Sequence, residues 1–138
     1  MKTAFKSVLD TIVAALSVYP APAEVVANPR HSVPESRQRQ IAVHLGNSKA
    51  SSGPLGVTRW TTPIVVECYA RGDVDELLDS AWRRLFGPEA RITGAGIEGL
   101  EQDGIDWDYA GSRTDMECAA LQFLVRHRTP THSLTPWA

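Results

Sequence analysis

The sequence predicts an α+β fold in which two amphipathic helices pack on one mostly antiparallel, or mixed, β-sheet. Two segments place apolar residues at helical spacing. Several others alternate apolar and polar residues with a period of two. The order of these segments, with three strands following the second helix, suits helices laid on a single sheet.

The first helix is predicted over residues 3–17. Phe5, Val8, Leu9, Ile12, Val13 and Leu16 share one face at i, i+3, i+4, i+7, i+8 and i+11, while Thr3, Ser7, Asp10 and Thr11 lie off it. Lys2 and Lys6 ahead of an apolar run, with Ala21-Pro22-Ala23 after it, imitate a secretory signal. Asp10 interrupts that run and its apolar residues are periodic, so a packed helix is expected. A short strand over 24–27, then a loop over 28–39 (two prolines, three arginines, no apolar rhythm), come next. Ile41, Val43 and Leu45 alternate with Ala42 and His44 as a strand. The segment GNSKASSGPLG then reads as a loop without regular structure.

A strand is predicted from about Arg59 to Ala70, with Trp60, Thr62, Ile64, Val66 and Cys68 on one face and Val65, Glu67 and Tyr69 on the other. Pro63 lacks an N–H, which puts that end at an edge or a bulge. The second helix starts at Asp73 as N-cap, with Glu76 completing a capping box, and ends at Gly87-Pro88. Its stripe is Val74, Leu77, Leu78, Ala81, Trp82 and Leu85. Two strands over 96–102 and 105–109 are expected to meet at a turn near Gly104. In the second of these, Ile105, Trp107 and Tyr109 form an apolar face opposite Asp106 and Asp108. The longest strand, 116–129, faces Ala119, Leu121, Phe123 and Val125 one way, and its polar end Arg126-His127-Arg128 is expected to leave the core. Residues 129–138 read as a loose tail, with Trp137 either pinned on the surface or held by a partner.

A chain of 138 residues with 43% apolar content supports one domain spanning its length and argues against wholesale disorder. A net charge of −2 argues against a nucleic-acid binder driven by bulk electrostatics. No run approaches the ~18–20 apolar residues of a membrane span. Residues 1–60 hold seven Lys or Arg against three Asp or Glu, and residues 61–138 hold seven against thirteen. A globule with unlike poles is suited to head-to-tail association, and head-to-tail contacts that close make rings.

Catalytic and cofactor motifs are absent from the sequence. There is no Gly-x-Ser-x-Gly elbow, no phosphate loop and no His-Glu-x-x-His. Gly94, Gly96 and Gly99 spell Gly-x-Gly-x-x-Gly, but strand rhythm rather than a helix follows, so they read as a flexible link. The four histidines are scattered and lack metal-ligand spacing. Asp103, Asp106 and Asp108 lack the rest of a calcium loop and read as a solvated strand face. Arg71-Gly72-Asp73 is a strand-to-helix connection rather than an adhesion motif. Cys68 and Cys118 fall in strands and read as small buried residues, able to pair only if their strands are neighbours.

Three stretches carry a family resemblance: the opening amphipathic helix, the segment TTPIVVECYARGDVDELLDSAWRRLFG, and the closing run IEGLEQDGIDWDYAGSRTDMECAALQFLVRHRTP. Together they resemble the tail terminator proteins of long-tailed bacteriophages, the minor tail protein U type, whose relatives also occur in gene transfer agents. In that family an acidic, aromatic strand precedes a long strand ending in a basic-aromatic-basic-Thr signature. The matching residues are Asp106-Trp107-Asp108-Tyr109 and Arg126-His127-Arg128-Thr129. His127 departs from the family, which has an aromatic such as Tyr there.

The resemblance implies a structural virion protein with no enzymatic activity and no cofactor or metal. It implies a homohexameric ring at the head-proximal end of the tail, assembled in the host bacterial cytoplasm. The ring's partners would be the tail tube protein and the head-tail connector or stopper, with no membrane and no sequence-specific nucleic acid, DNA passing through the ring. The 28–39 and 46–58 loops are expected to touch neighbouring subunits or rings, and the Asp103–Asp108 stretch to face a basic surface or the tube lumen. The candidate interface residues are Arg37, Arg39, Lys49, Arg59, Trp60, Asp103, Asp106, Asp108, Arg126 and Arg128. Three other readings compete: a connector or stopper of the same particle, a secreted binding domain with residues 1–23 as signal, and a small enzyme using Cys68 or His127.

Overall fold

Strand alternation and helical periodicity converge on a single buried layer between two helices and a six-stranded mixed sheet. The computed structural model describes residues 2–18, 20–28, 38–90, 92–94, 96–108 and 116–137. The elements are α1 (Ala4–Leu16), β1 (Glu24–Ala27), β2 (Arg39–Leu45), β3 (Lys49–Ser52), β4 (Val57–Ala70), α2 (Val74–Phe86), β5 (Ile97–Asp108) and β6 (Glu117–Pro130). The strand order is β1-β2-β4-β6-β5, with β3 pairing β4 beyond the end of β2. Only β1 and β2 run parallel; the other pairs are antiparallel.

The predicted helical stripes are the ones that reach the core. Val8, Leu9, Ile12 and Leu16 of α1 and Val74, Leu77, Leu78, Ala81 and Leu85 of α2 are buried against Ile41, Val43, Ile64, Val66, Cys68, Ala119, Leu121, Phe123 and Val125. Each Val, Leu, Ile or Phe among them contributes about 1.5–3 kcal/mol by leaving water. Phe86 packs edge-on to Phe123 with ring centroids 5.6 Å apart, which fixes the end of α2 over the middle of the sheet. The start of α1 is closed by Thr3, whose hydroxyl accepts from the Lys6 amide at 3.2 Å.

Six expectations are corrected. The 46–56 segment is not wholly irregular: Lys49–Ser52 pair with Thr61–Thr58 as β3, turning through Gly53–Gly56. Pairing with a long preformed strand overrides the poor strand propensity of Lys-Ala-Ser-Ser. Secondly, residues 97–108 form one strand rather than a hairpin. The register shift between Gln102 and Gly104 leaves Asp103 as the extra residue of a bulge, so Gly104 marks a bulge and no turn. Thirdly, Gly99 lies within β5 and Gly96 at its start, rather than in a link between elements. Gly96, at φ +80° and with its carbonyl accepting from Arg128 N–H at 2.9 Å, leads directly into β5. A Cβ on Gly96 would lie 2.7 Å from the Arg128 oxygen, so only glycine fits.

Fourthly, the Asp73 side chain makes no cap hydrogen bond to α2. Its carboxylate is taken by the Arg39 guanidinium instead. Fifthly, the Arg126–Thr129 end of β6 leaves the core on one face only: His127 and Thr129 are each 1% exposed, while Arg126 and Arg128 lie on the other face. Sixthly, the tail is tied down. Thr131 N–H donates to Gly56 O at 3.0 Å, Trp137 N–H to Arg128 O at 3.2 Å, and Leu134 O accepts from Ala4 N–H at 2.6 Å.

Pro63 lies on a central strand, yet its missing donor is accommodated as its chemistry demands. β2 pairs with β4 as far as Ile64 and β3 begins at Thr61, so Pro63 faces the break between them. There its carbonyl accepts from Gly46 N–H at 2.7 Å. Cys68 and Cys118 lie on neighbouring strands, but Cys68 stands opposite Ala119 and Cys118 opposite Tyr69. They therefore point to opposite faces, and no disulfide joins them.

Candidate functional site

At the end of the sheet where β4 begins, three strands interleave charges. The register sets Arg59 opposite Arg128 and Thr61 opposite Arg126 on the face away from the helices. Adjacent like charges would repel, and β5 inserts carboxylates among them. Arg126 reaches Glu101 at 2.6 Å, Arg59 reaches Glu98 at 3.4 Å, and Arg128 stands 3.9 Å from Glu98. Lys49 and Ser51 of β3 lie beside Thr61 and Arg59. The result is an open, shallow groove lined by Ser51, Arg59, Thr61, Glu98, Gly99, Glu101 and Arg126. These pairs are half exposed, so each contributes about 1 kcal/mol at most to stability.

The opposite side of the same strands holds a polar network inside the core. His127 Nε2 lies 2.7 Å from Thr62 Oγ1, which lies 2.8 Å from Ser48 Oγ. Trp60 Nε1–H donates to Thr129 Oγ1 at 3.0 Å. The Phe5 ring sits edge-on to both Trp60, at 5.1 Å, and His127, at 5.2 Å, tying the start of α1 to the sheet. Burial holds the His127 pKa below the usual imidazole value, which favours the neutral ring. Its Nδ1 has no hydrogen-bond partner among the described residues. Outside, the Arg128 guanidinium lies 5.9 Å from the centre of the Trp137 ring. Trp137 is thus pinned within the protomer.

The other end of the sheet is acidic. Pairing brings Glu24, Asp106, Asp108 and Glu117 to the end where β4 finishes, and α2 starts there with Asp73, Asp75 and Glu76. Arg39 and Arg71 are the described basic residues among them. Arg39 is bound to Asp73 and lies 4.0 Å from Glu76. Asp106 accepts from Gln122 Nε2 at 2.8 Å. Residues 101–107 of β5 are all exposed, and the apolar face foreseen there is uncovered: Ile105 is 38% and Trp107 46% exposed. Between the two ends, on the face without helices, His44 Nε2 meets Glu67 Oε1 at 2.5 Å, and the Tyr69 hydroxyl donates to Glu67 Oε2 at 3.1 Å. Burial, with Glu67 next to it, raises the Tyr69 pKa.

The ten sequence candidates therefore fall into two groups. Lys49, Arg59, Trp60, Arg126 and Arg128 gather where β4 begins, although Trp60 faces the core side and serves packing. Arg39, Asp106 and Asp108 lie at or near the far end, with Asp103 on the bulge between. Arg37 lies outside the described residues. Sequence reasoning missed Glu98 and Glu101, which pair with the arginines, and the His127–Thr62–Ser48 chain. The second was foreshadowed by parity, since His127 and Thr129 continue the Phe123, Val125 alternation.

Among the described residues, no group of three or more His, Cys, Asp or Glu side chains is placed to hold a metal ion. Cys68 is fully buried, and burial pushes its thiol up to about 12; His127 is likewise shut from solvent. Neither reaches a substrate from these positions. No described helix is long and apolar enough to cross a membrane.

No protein-family model matches the chain, and no curated protein matches it. Its fold is shared with a chain of a gene transfer agent particle. The matching structure is described as "Virion of native gene transfer agent (GTA) particle". The two superpose with a TM-score of 0.56, covering 92% of this chain and 96% of that one, at 15% sequence identity. At that identity the likeness is one of fold.

Proposed function

We propose that this chain is a structural virion protein of a phage-like particle: a tail terminator subunit that forms a hexameric ring, ends the tail tube and joins it to the head connector. The observation that carries this reading is the fold likeness to a gene transfer agent virion chain across nearly the whole of both chains. A shared domain inside a larger, unrelated protein would not give such reciprocal coverage. The composition of the surface agrees with it. The described residues offer opposed charged ends, an uncovered strand and a projecting hairpin with Leu55 fully exposed at its tip, all features of a protein that works by contact.

On this reading the protomer transforms no substrate. The β3–β4 hairpin, rather than a formless loop, is the element that reaches a neighbouring ring. The ring stands between tube protein and connector, away from any membrane, with DNA passing through its lumen. Particles assembled without this chain test the proposal. Tubes of uncontrolled length and heads lacking attached tails are the expected result. Tails of normal length joined to heads would refute it.

A further inference from the structure

We infer that the far half of β5 docks on a second copy of this chain, meeting the basic end of that copy's sheet head to tail. The inference rests on the ring reading above and assigns the surface that closes the ring.

The strand is built unlike the other edge. Among the described strands β5 pairs with β6 alone, and residues 101–107 are all exposed. Ile105 stands opposite Leu121 and Trp107 opposite Ala119, both fully buried. The β5 residues thus belong to the core-facing side of the sheet, yet lie beyond the cover that the helices give β6. An isoleucine and a tryptophan side by side on such a face form an anchor of the kind that dominates protein contacts. Strand addition is not the mode of contact. The bulge at Gln102/Gly104 breaks the register, and the carboxylates along the edge oppose pairing with another strand. The side-chain face is what remains to be covered.

Charge selects the occupant. This end of the sheet gathers six carboxylates, those of Glu24, Asp73, Asp75, Glu76, Asp106 and Glu117, against two guanidiniums among the described side chains. The opposite end carries Lys49, Arg59, Arg126 and Arg128 on strands, and Lys2 and Lys6 at the start of α1, against Glu98, Glu101 and Asp10. A two-fold contact through the acidic end would set like charges against one another. A head-to-tail contact sets acidic against basic. Heterologous contacts of this kind close into rings. A second copy of the chain supplies the complementary surface without any other partner.

The test is sedimentation velocity on the purified full chain across a range of concentrations and salt, with three variants. Ile105→Glu removes the apolar contact, Asp106→Lys reverses a charge beside it, and Val18→Glu changes a residue that is 59% exposed at the end of α1. Thermal unfolding confirms that each variant folds. Ile105→Glu and Asp106→Lys are expected to weaken self-association about tenfold or more, and Val18→Glu to leave it unchanged. Assembly of Ile105→Glu and Asp106→Lys at wild-type concentrations would overturn the surface while leaving the ring reading intact. A wild-type chain that stays monomeric throughout would contradict the ring reading itself. A variant that still forms the ring but fails to join particles would place this face against a different virion protein, which also overturns the inference.

Discussion

His127 and Thr62 share a hydrogen bond of 2.7 Å inside the core, between residues that are 1% and 0% exposed. The bond joins the third strand pairing of the sheet to the loop ahead of β3 through Ser48, and Phe5 closes over it. An imidazole in this position is costly to charge, since Nδ1 lacks an acceptor among the described residues and the ring is packed against the aromatic side chain of Phe5.

The pH dependence of stability follows from that burial. The folded-state pKa of His127 is held below its value in the unfolded chain. The unfolded state therefore binds the proton more readily. Stability is complete above about pH 6.5 and is lost as the pH falls toward the folded pKa, at no more than ~1.4 kcal/mol per pH unit. Denaturant unfolding of wild type and His127→Phe between pH 5 and 8 isolates this contribution. The phenylalanine keeps the edge contact with Phe5 and removes the titration. A difference between the two proteins that stays constant with pH would refute the assignment.

Asp73 offers a direct contest between capping and ion pairing. Sequence logic makes it the N-cap of α2, whereas its carboxylate binds Arg39 and makes no cap hydrogen bond. Serine preserves capping ability and removes the charge. Asp73→Ser is expected to destabilise the protein by up to about 1 kcal/mol, given that both side chains are about one-third exposed. In an Arg39→Gln background the same change should be neutral. Equal effects in both backgrounds, measured by urea unfolding, would contradict the pairing.

Cys68 should be inert. Its side chain is fully buried and burial pushes its thiol up to about 12, so almost no thiolate exists at neutral pH. An aromatic disulfide reagent at pH 8 should modify Cys68 only after denaturant is added, and oxidation should not link it to Cys118 across the sheet. Rapid labelling of Cys68 in the native protein would be inconsistent with its place in the core.

Phe123 tests the packing of α2 on the sheet. It is 1% exposed and meets Phe86 edge-on. Phe123→Ala should cost about 3–5 kcal/mol. A loss below about 1 kcal/mol in chemical denaturation would show that the two rings do not share one core.

The sequence carried the periodic parts of the fold legibly. Both helical stripes, and the faces of β2, β4 and β6, follow directly from spacing, because burial on one side imposes a period that composition cannot hide. What stayed illegible depends on pairing. Lys49–Ser52 has no strand signature and is a strand only because β4 extends past the end of β2. Gly104 resembles a turn residue until the register shows an extra residue at Asp103. His127 looks like a solvent-bound residue between two arginines, although strand parity alone places it with Val125 and Phe123. The candidate surface was half visible: Arg59, Arg126, Asp106 and Asp108 stood out by charge. Glu98 and Glu101 did not, since only β5–β6 pairing brings them against the arginines.

Electron cryomicroscopy of particles that contain the chain tests the central claim most directly. Six copies of this fold in one ring, at the head-proximal end of the tail tube, is the predicted density. A single protomer elsewhere in the particle, or no density for the chain in the particle at all, would contradict it.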